Sequence, residues 1–212
     1  MRQSSIAMLL AIIFGISGCA VAQENTMPGS GRDVPSGIPA EFQFLYQGFI
    51  PREQTLHAVW AALPYESITL ERSNCMIQCP AYKVTLYRGN PTGQGRETYE
   101  DRLGRAELHA FVPERNLDKY TRMFPEKSGD FIGRVDIWTY ARLCYLLNRS
   151  QFSVLLDRYE ARWTDARTIT VTATSNGKTK IVSEYGGVGP IELWGIQEAI
   201  DSVAQGINWT PK

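Results

Sequence analysis

Residues 168–185, TITVTATSNGKTKIVSEY, read as a complete β-hairpin. Ile169, Val171 and Ala173 alternate with threonines, the period-two pattern of a half-buried strand. Asn176-Gly177 supplies the two positive-φ residues that a type I′ turn demands, and the chain then returns. Ile181, Ser183 and Tyr185 share one face of the returning strand. Tyr185-Gly186-Gly187-Val188-Gly189 breaks that strand, and Pro190 opens a helix that carries Leu193, Ile196, Ile200 and Val203 on one side. Gly206 is its predicted stop.

The same grammar runs back towards the N-terminus. Ile68 and Leu70 alternate with Thr69 and Glu71, and Tyr82, Val84 and Leu86 alternate with Lys83, Thr85 and Tyr87. Both are predicted strands. Arg88 to Gly95 is rich in glycine and reads as a loop, with Arg96–Glu100 and Ala106–Phe111 continuing a meander. Pro113 suits the first turn of a helix presenting Leu117, Tyr120, Thr121 and Phe124. Ile137, Trp138, Ala141, Cys144 and Tyr145 mark a second helix, and Phe152, Leu155, Leu156 and Tyr159 a third. Leu56, Val59, Trp60 and Leu63 fit a short helix before Pro64, with a strand as the competing reading. Short connections imply an α+β fold: an antiparallel sheet of hairpins with helices packed on one side. Ile68-Thr69-Leu70 and Ile169-Thr170-Val171 echo one another, too briefly to count as a repeat.

The first nineteen residues have a different character. Arg2 precedes an apolar run from Ile6 to Ile16, too short for a comfortable membrane span, and Ser17-Gly18-Cys19 follows. That is the layout of a secretory leader. Ile16-Ser17-Gly18-Cys19 resembles a bacterial lipobox, which makes residues 1–18 the signal peptide and Cys19 the lipidated first residue of the mature chain. Residues 19–40 are polar and rich in Gly and Pro, a flexible tether with a mean reach of about 25 Å. The single α+β domain is expected over 41–212. Ala20, rather than Asp, after the cysteine favours an outer-membrane, periplasm-facing location.

Without residues 1–18 the chain keeps 21 basic and 22 acidic residues. That balance, and the lack of any block of like charge, gives no case for nucleic acid. The membrane partner is reached through the N-terminal lipid. Export would place Cys75, Cys79 and Cys144 in an oxidising compartment, where a disulfide persists. Cys75 and Cys79 lie four apart with Pro80 behind them, spacing that extended or turn geometry can bridge. A structural disulfide is the leading reading. A redox-active pair, free thiols, or pairing with Cys144 are the alternatives, although Cys144 lies on the apolar face of its helix. His57 and His109 have no ligand spacing to the cysteines, so no metal site is expected. Asp157 and Asp165 read as caps or turn formers rather than a catalytic pair.

These motifs together resemble an uncharacterised bacterial family, a domain of unknown function found in exported proteins and lipoproteins. The resemblance runs over about residues 66–209. It rests on Cys75-x-x-x-Cys79-Pro80-x-Tyr82, Tyr159 with Thr164-Asp165, Asn176-Gly177, Tyr185-Gly186-Gly187 and the helix from Pro190. Members often carry Phe-Gly where this chain has Met76-Ile77. The resemblance implies no activity, cofactor or catalytic residue. The expected function is therefore a non-enzymatic envelope lipoprotein that binds a protein or cell-wall partner. A thiol-active or hydrolytic periplasmic enzyme and a small-ligand binder are the competing readings.

Overall fold

The computed structural model describes residues 33–75, 79–90, 98–113 and 124–212. The expected leader, Cys19, most of the expected tether and the expected helix over Leu117–Thr121 lie outside them. Among the described residues the strands are β1 (Ser67–Arg72), β2 (Ala81–Tyr87), β3 (Leu103–Phe111), β4 (Gly129–Asp136), β5 (Arg158–Glu160), β6 (Thr168–Ser175), β7 (Lys178–Tyr185) and β8 (Thr210–Pro211). They form one sheet in the order β5-β7-β6-β1-β2-β3-β4-β8. The helices are α1 (Gln43–Gln47), α2 (Leu56–Ala62), α3 (Ile137–Arg149) and α4 (Ile191–Gly206). The fold is α+β. No helix of the described residues is long and apolar enough to cross a membrane.

The opening hairpin forms as expected, with Val171 opposite Val182 and Ser175 opposite Lys178. Asn176 and Gly177 take φ of 50° and 70°, the left-handed pair of a type I′ turn. Ile68, Leu70, Val84, Leu86, Ala106, Leu108, Val171 and Val182 line the inner face of the sheet, and all are buried. Ile137, Tyr140 and Leu147 of α3 and Leu193, Ile196 and Ile200 of α4 complete the core. Each such aliphatic side chain contributes about 1.5–3 kcal/mol by leaving water. The two segments that echo one another, in β1 and β6, are antiparallel neighbours at the middle of the sheet, with Leu70 opposite Val171.

Several expectations are corrected. The sheet is not wholly antiparallel, because β5 pairs with β7 in parallel. The third helix is only a 3-10 turn at Phe152–Val154, after which the chain enters β5. Tyr99 and Glu100 are not strand: Asp101 accepts hydrogen bonds from the Thr98 amide and hydroxyl, and that local ring bends the chain into a 3-10 turn at Glu100–Arg102. Ile181, Ser183 and Tyr185 do share a face, but it is the outer one. Ile181 is half exposed, while Val182 and Glu184 point inward. The sequence reading also passed over β4, which runs directly into α3. Asp136 ends the strand and caps the helix, accepting from the amides of Trp138 and Thr139 at 3.0 and 3.1 Å. Leu56–Ala62 is helical rather than extended because Thr55 caps it, accepting from the Ala58 amide.

Candidate functional site

The family-like motifs gather at one end of the sheet, where β1 and β7 finish and β2 and β6 begin. Backbone pairing there sets Glu184 opposite Ile169, Ile169 opposite Arg72, and Arg72 opposite Tyr82. Direct cross-strand partners share a face, so this whole rung points inward beneath α4. Apart from Ile169 it is polar, where the rest of the inner face is apolar.

Asp201 of α4 meets the rung from above. It forms a very close ion pair with the Arg72 guanidinium and accepts a 2.5 Å hydrogen bond from the Tyr82 hydroxyl. Arg72 and Asp201 are 8% and 11% exposed at their side chains, and half-exposed Glu198 adds a second partner to Arg72 at 3.3 Å. Burial works against the charge on Arg72. Asp201, Tyr82 and Glu198 more than offset it, and the guanidinium titrates above its ordinary value. Burial, then Asp201, pushes the Tyr82 hydroxyl well above the usual tyrosine range, so it remains a donor. Phe124 packs edge-on against the Tyr82 ring, with centroids 5.4 Å apart.

Cys75 and Cys79 flank the cluster in sequence, between β1 and β2. Cys75 and Cys79 form a disulfide with Cα atoms 5.3 Å apart. Arg167 reaches from the start of β6 to donate to the Pro80 carbonyl at 2.7 Å. Burial and the neighbouring charge of Arg72 lower its pKa. Ser73 and Thr168 exchange two hydrogen bonds, each 2.9 Å, and so tie the exit of β1 to the entry of β6. Cys144 is buried and unpaired with another cysteine, and burial pushes its thiol up to about 12. It is therefore not a thiolate at neutral pH.

The remaining motif residues build a second layer beside the first. Tyr185 accepts at its carbonyl from the Ala161 amide and at its hydroxyl from the Ala166 amide. The Tyr159 hydroxyl accepts from the Leu156 amide. Thr164 donates to Asp165, whose φ of 70° turns the chain towards β6. Gly186 has φ of 81°, and a Cβ there would come within 2.6 Å of Ala161 Cβ and 2.8 Å of the Trp163 indole nitrogen. Only glycine lets the two loops meet. Gly187 also sits at positive φ, and Pro190 follows as the N-cap residue of α4. Buried Glu184 accepts from the Gly189 amide at 2.9 Å, fixing the loop that leads into α4.

This scaffold presents Trp163, Val188, Ile191 and Trp194 outward. The two indoles are 57% and 55% exposed. Trp163 lies against Gly186, Val188 stands two residues further along the same loop, and Ile191 and Trp194 sit three positions apart in the first turn of α4, so the four flank the Gly186 loop as an exposed apolar ledge.

A family model for a domain of unknown function, DUF6438, matches residues 66–204. The chain belongs to the DUF6438 family. No curated protein and no solved structure matches it. The DUF6438 match takes in β1 to β7, α3 and most of α4, and leaves out α1, α2 and β8. Both motif layers thus lie inside the DUF6438 unit.

Sequence reasoning singled out Cys75, Cys79, Pro80, Tyr82, Thr164, Asp165, Tyr185, Gly186, Gly187 and Pro190, and the fold brings them to one end of the molecule. Asn176 and Gly177 sit apart from them, at the tip of the β6–β7 hairpin. Asp157 pairs with Lys180, so Asp157 and Asp165 have separate partners. His109 is exposed and lies 2.7 Å from Asp130. Arg72 and Asp201 lie at the ends of segments that carry the family resemblance, Ile68–Arg72 and Pro190–Asp201, but nothing in the sequence marks them, or Arg167, Glu184 and Gln197, as site residues. Gln197 is buried on α4 one turn before Asp201, and its amide makes no hydrogen bond among the described residues.

Proposed function

We propose that this DUF6438 protein is a lipid-anchored envelope protein whose domain acts by binding a partner rather than by catalysis. The lipobox-like Ile16-Ser17-Gly18-Cys19 and the polar segment behind it support the anchor and the periplasm-facing location. The observation that carries the binding reading is the ledge of Trp163, Val188, Ile191 and Trp194, exposed in water and held by motif residues on a rigid junction. Large exposed apolar side chains grouped at one place mark interaction sites in folded proteins. The buried polar rung is the support for that ledge: it locks α4 to the sheet, so the indoles hold fixed positions. Tryptophans presented this way are the residue type that dominates binding hot spots.

A photo-reactive amino acid placed at Trp194 in the full-length chain tests the reading in intact cells. The expected result is one discrete crosslinked species that disappears when Trp163 is changed to Ala. A featureless smear, or a product indifferent to Trp163→Ala, would remove the ledge as a docking face. The anchor is tested separately: Cys19→Ala should abolish incorporation of labelled fatty acid, and a labelled band of unchanged strength would disprove it.

A further inference from the structure

At the end of the sheet opposite the motifs, on the face turned away from α4, Arg105 of β3 lies directly across from Arg134 of β4. Like charges directly opposite one another on a sheet are unfavourable. Of the two, only Arg105 has an acid within ion-pair distance among the described residues. Glu107 is the nearest acid, and it is already shared. One of its oxygens accepts from the Tyr87 hydroxyl at 3.1 Å, and the other faces both Lys212 at 3.2 Å and Arg105 at 3.6 Å. Arg134 makes no hydrogen bond or ion pair among the described residues.

The two arginines open onto a cleft of about 420 Å³ that also touches Tyr87, Arg88 and the 3-10 turn after Thr98. Its acids, Glu66, Glu100 and Asp101, form no ion pair with either arginine among the described residues. Asp101 accepts from Thr98 twice, Glu66 accepts from the Gly177 amide, and Glu100 pairs with neither arginine. Arg88 is occupied with the carbonyls of Ala61 and Leu63. The Arg105 guanidinium rests 4.2 Å from the centre of the Tyr87 ring, and the Tyr87 hydroxyl is itself held by Glu107. Stacking of this kind fixes the plane of the guanidinium before any ligand arrives.

We propose that Arg105, stacked on the Tyr87 ring, and Arg134 opposite it form a binding site for an oxyanion: a carboxylate or phosphate group carried by a ligand. A guanidinium presents paired donors that match two oxygens of such a group, and two adjacent forks can grip it from both sides. An anion between them removes the repulsion that the empty pair bears. The site lies away from the tryptophan ledge and does not depend on the binding reading given above.

Thermal unfolding of the full-length chain tests this, with three probes: inorganic phosphate, a short peptide ending in a free carboxylate, and its C-terminally amidated form. Saturating anion should raise Tm by about 3 °C. A response to phosphate alone identifies a phosphate-bearing ligand. A response to the free peptide but not the amidated one identifies a carboxylate. Arg134→Gln should abolish the response while leaving the ligand-free protein at least as stable as the parent, because it removes a like charge. Arg134→Lys, which keeps the charge but loses the fork, should weaken binding about tenfold by calorimetry. No response to any probe, or an equal response in Arg134→Gln, would overturn the proposal.

Discussion

Asp201 is the residue on which the motif end of the molecule depends. It is the shared partner of a buried guanidinium and a buried phenol, and Glu184, the rung's own buried carboxylate, makes no ion pair with Arg72 among the described residues. Removing one partner of a buried ion pair leaves the other charged and unsolvated, which costs about 3–5 kcal/mol. Asp201→Ala should therefore lower the urea midpoint by a large fraction of total stability. The double variant Arg72→Met/Asp201→Ala should recover much of that loss, since a well-packed apolar pair is often as stable as the ionic one. A double variant no better than the single one would mean that Asp201 matters through packing and not through its charge. The amide of Gln197, one turn away, belongs to the same buried polar strip.

Among the elements, the disulfide-bridged segment joins β1 to β2 beside that strip. Bridging residues four apart removes a short loop's freedom from the unfolded chain, worth about 2 kcal/mol in the chain-entropy account. The Cys75→Ser/Cys79→Ser variant should lose about that much in urea unfolding, and dithiothreitol should impose the same loss on the parent. A parent indifferent to reductant would show that the bond clamps nothing. The hairpin, β1, β2, α3 and α4 were legible in the sequence because each obeys one clean period and has a cap or turn to bound it. Ile68, Leu70 and Val84, Leu86 marked the inner parity, and extending it by one step leads to Arg72 and Tyr82. The same step from Val182 leads to Glu184, and from Gln197 along the helix to Asp201. Tyr82 is legible by that parity, but Arg72, Glu184 and Asp201 are not, because charge at an inward position normally reads as the end of an element. β4 was hidden for a different reason: Gly129, Gly133 and Arg134 interrupt its apolar pattern, and only pairing with β3 makes it a strand. The ledge was hidden too, since exposure of Trp163 and Trp194 depends on how two distant loops meet at Gly186.

For the molecule as a whole, the most general prediction concerns alkaline pH. Burial raises the Cys144 thiol from 9.0 to about 12 and the Tyr65 hydroxyl from 10.0 to about 12, and it raises Tyr82 and Tyr140 as well. In the unfolded chain these groups give up their protons at ordinary values, while the folded protein retains them. Their contribution is complete below pH about 9 and is lost as pH rises from there towards 12. Urea midpoints should be level from about pH 7 to 8.5 and then fall with increasing steepness. Cys144→Ala should make the early part of that fall shallower. A midpoint that stays level to pH about 10.5 would contradict the burial of these groups.

The order of the sheet has one more consequence, for how the chain comes to be folded. β1 lies at the centre of the sheet, yet one of its two neighbours is β6, so Leu70 must find Val171 about a hundred positions later. α4, which covers the middle of the inner face, comes later still. No early fragment can close the core by itself, since the strands made first lack both a flank and a roof. Pairings of such long range are slow, because the loop entropy must be overcome before any contact offsets it. The chain therefore stays open until nearly all of it exists. Late collapse of this kind makes the C-terminal third, which holds β6, β7 and α4, the part whose arrival decides when the core can close.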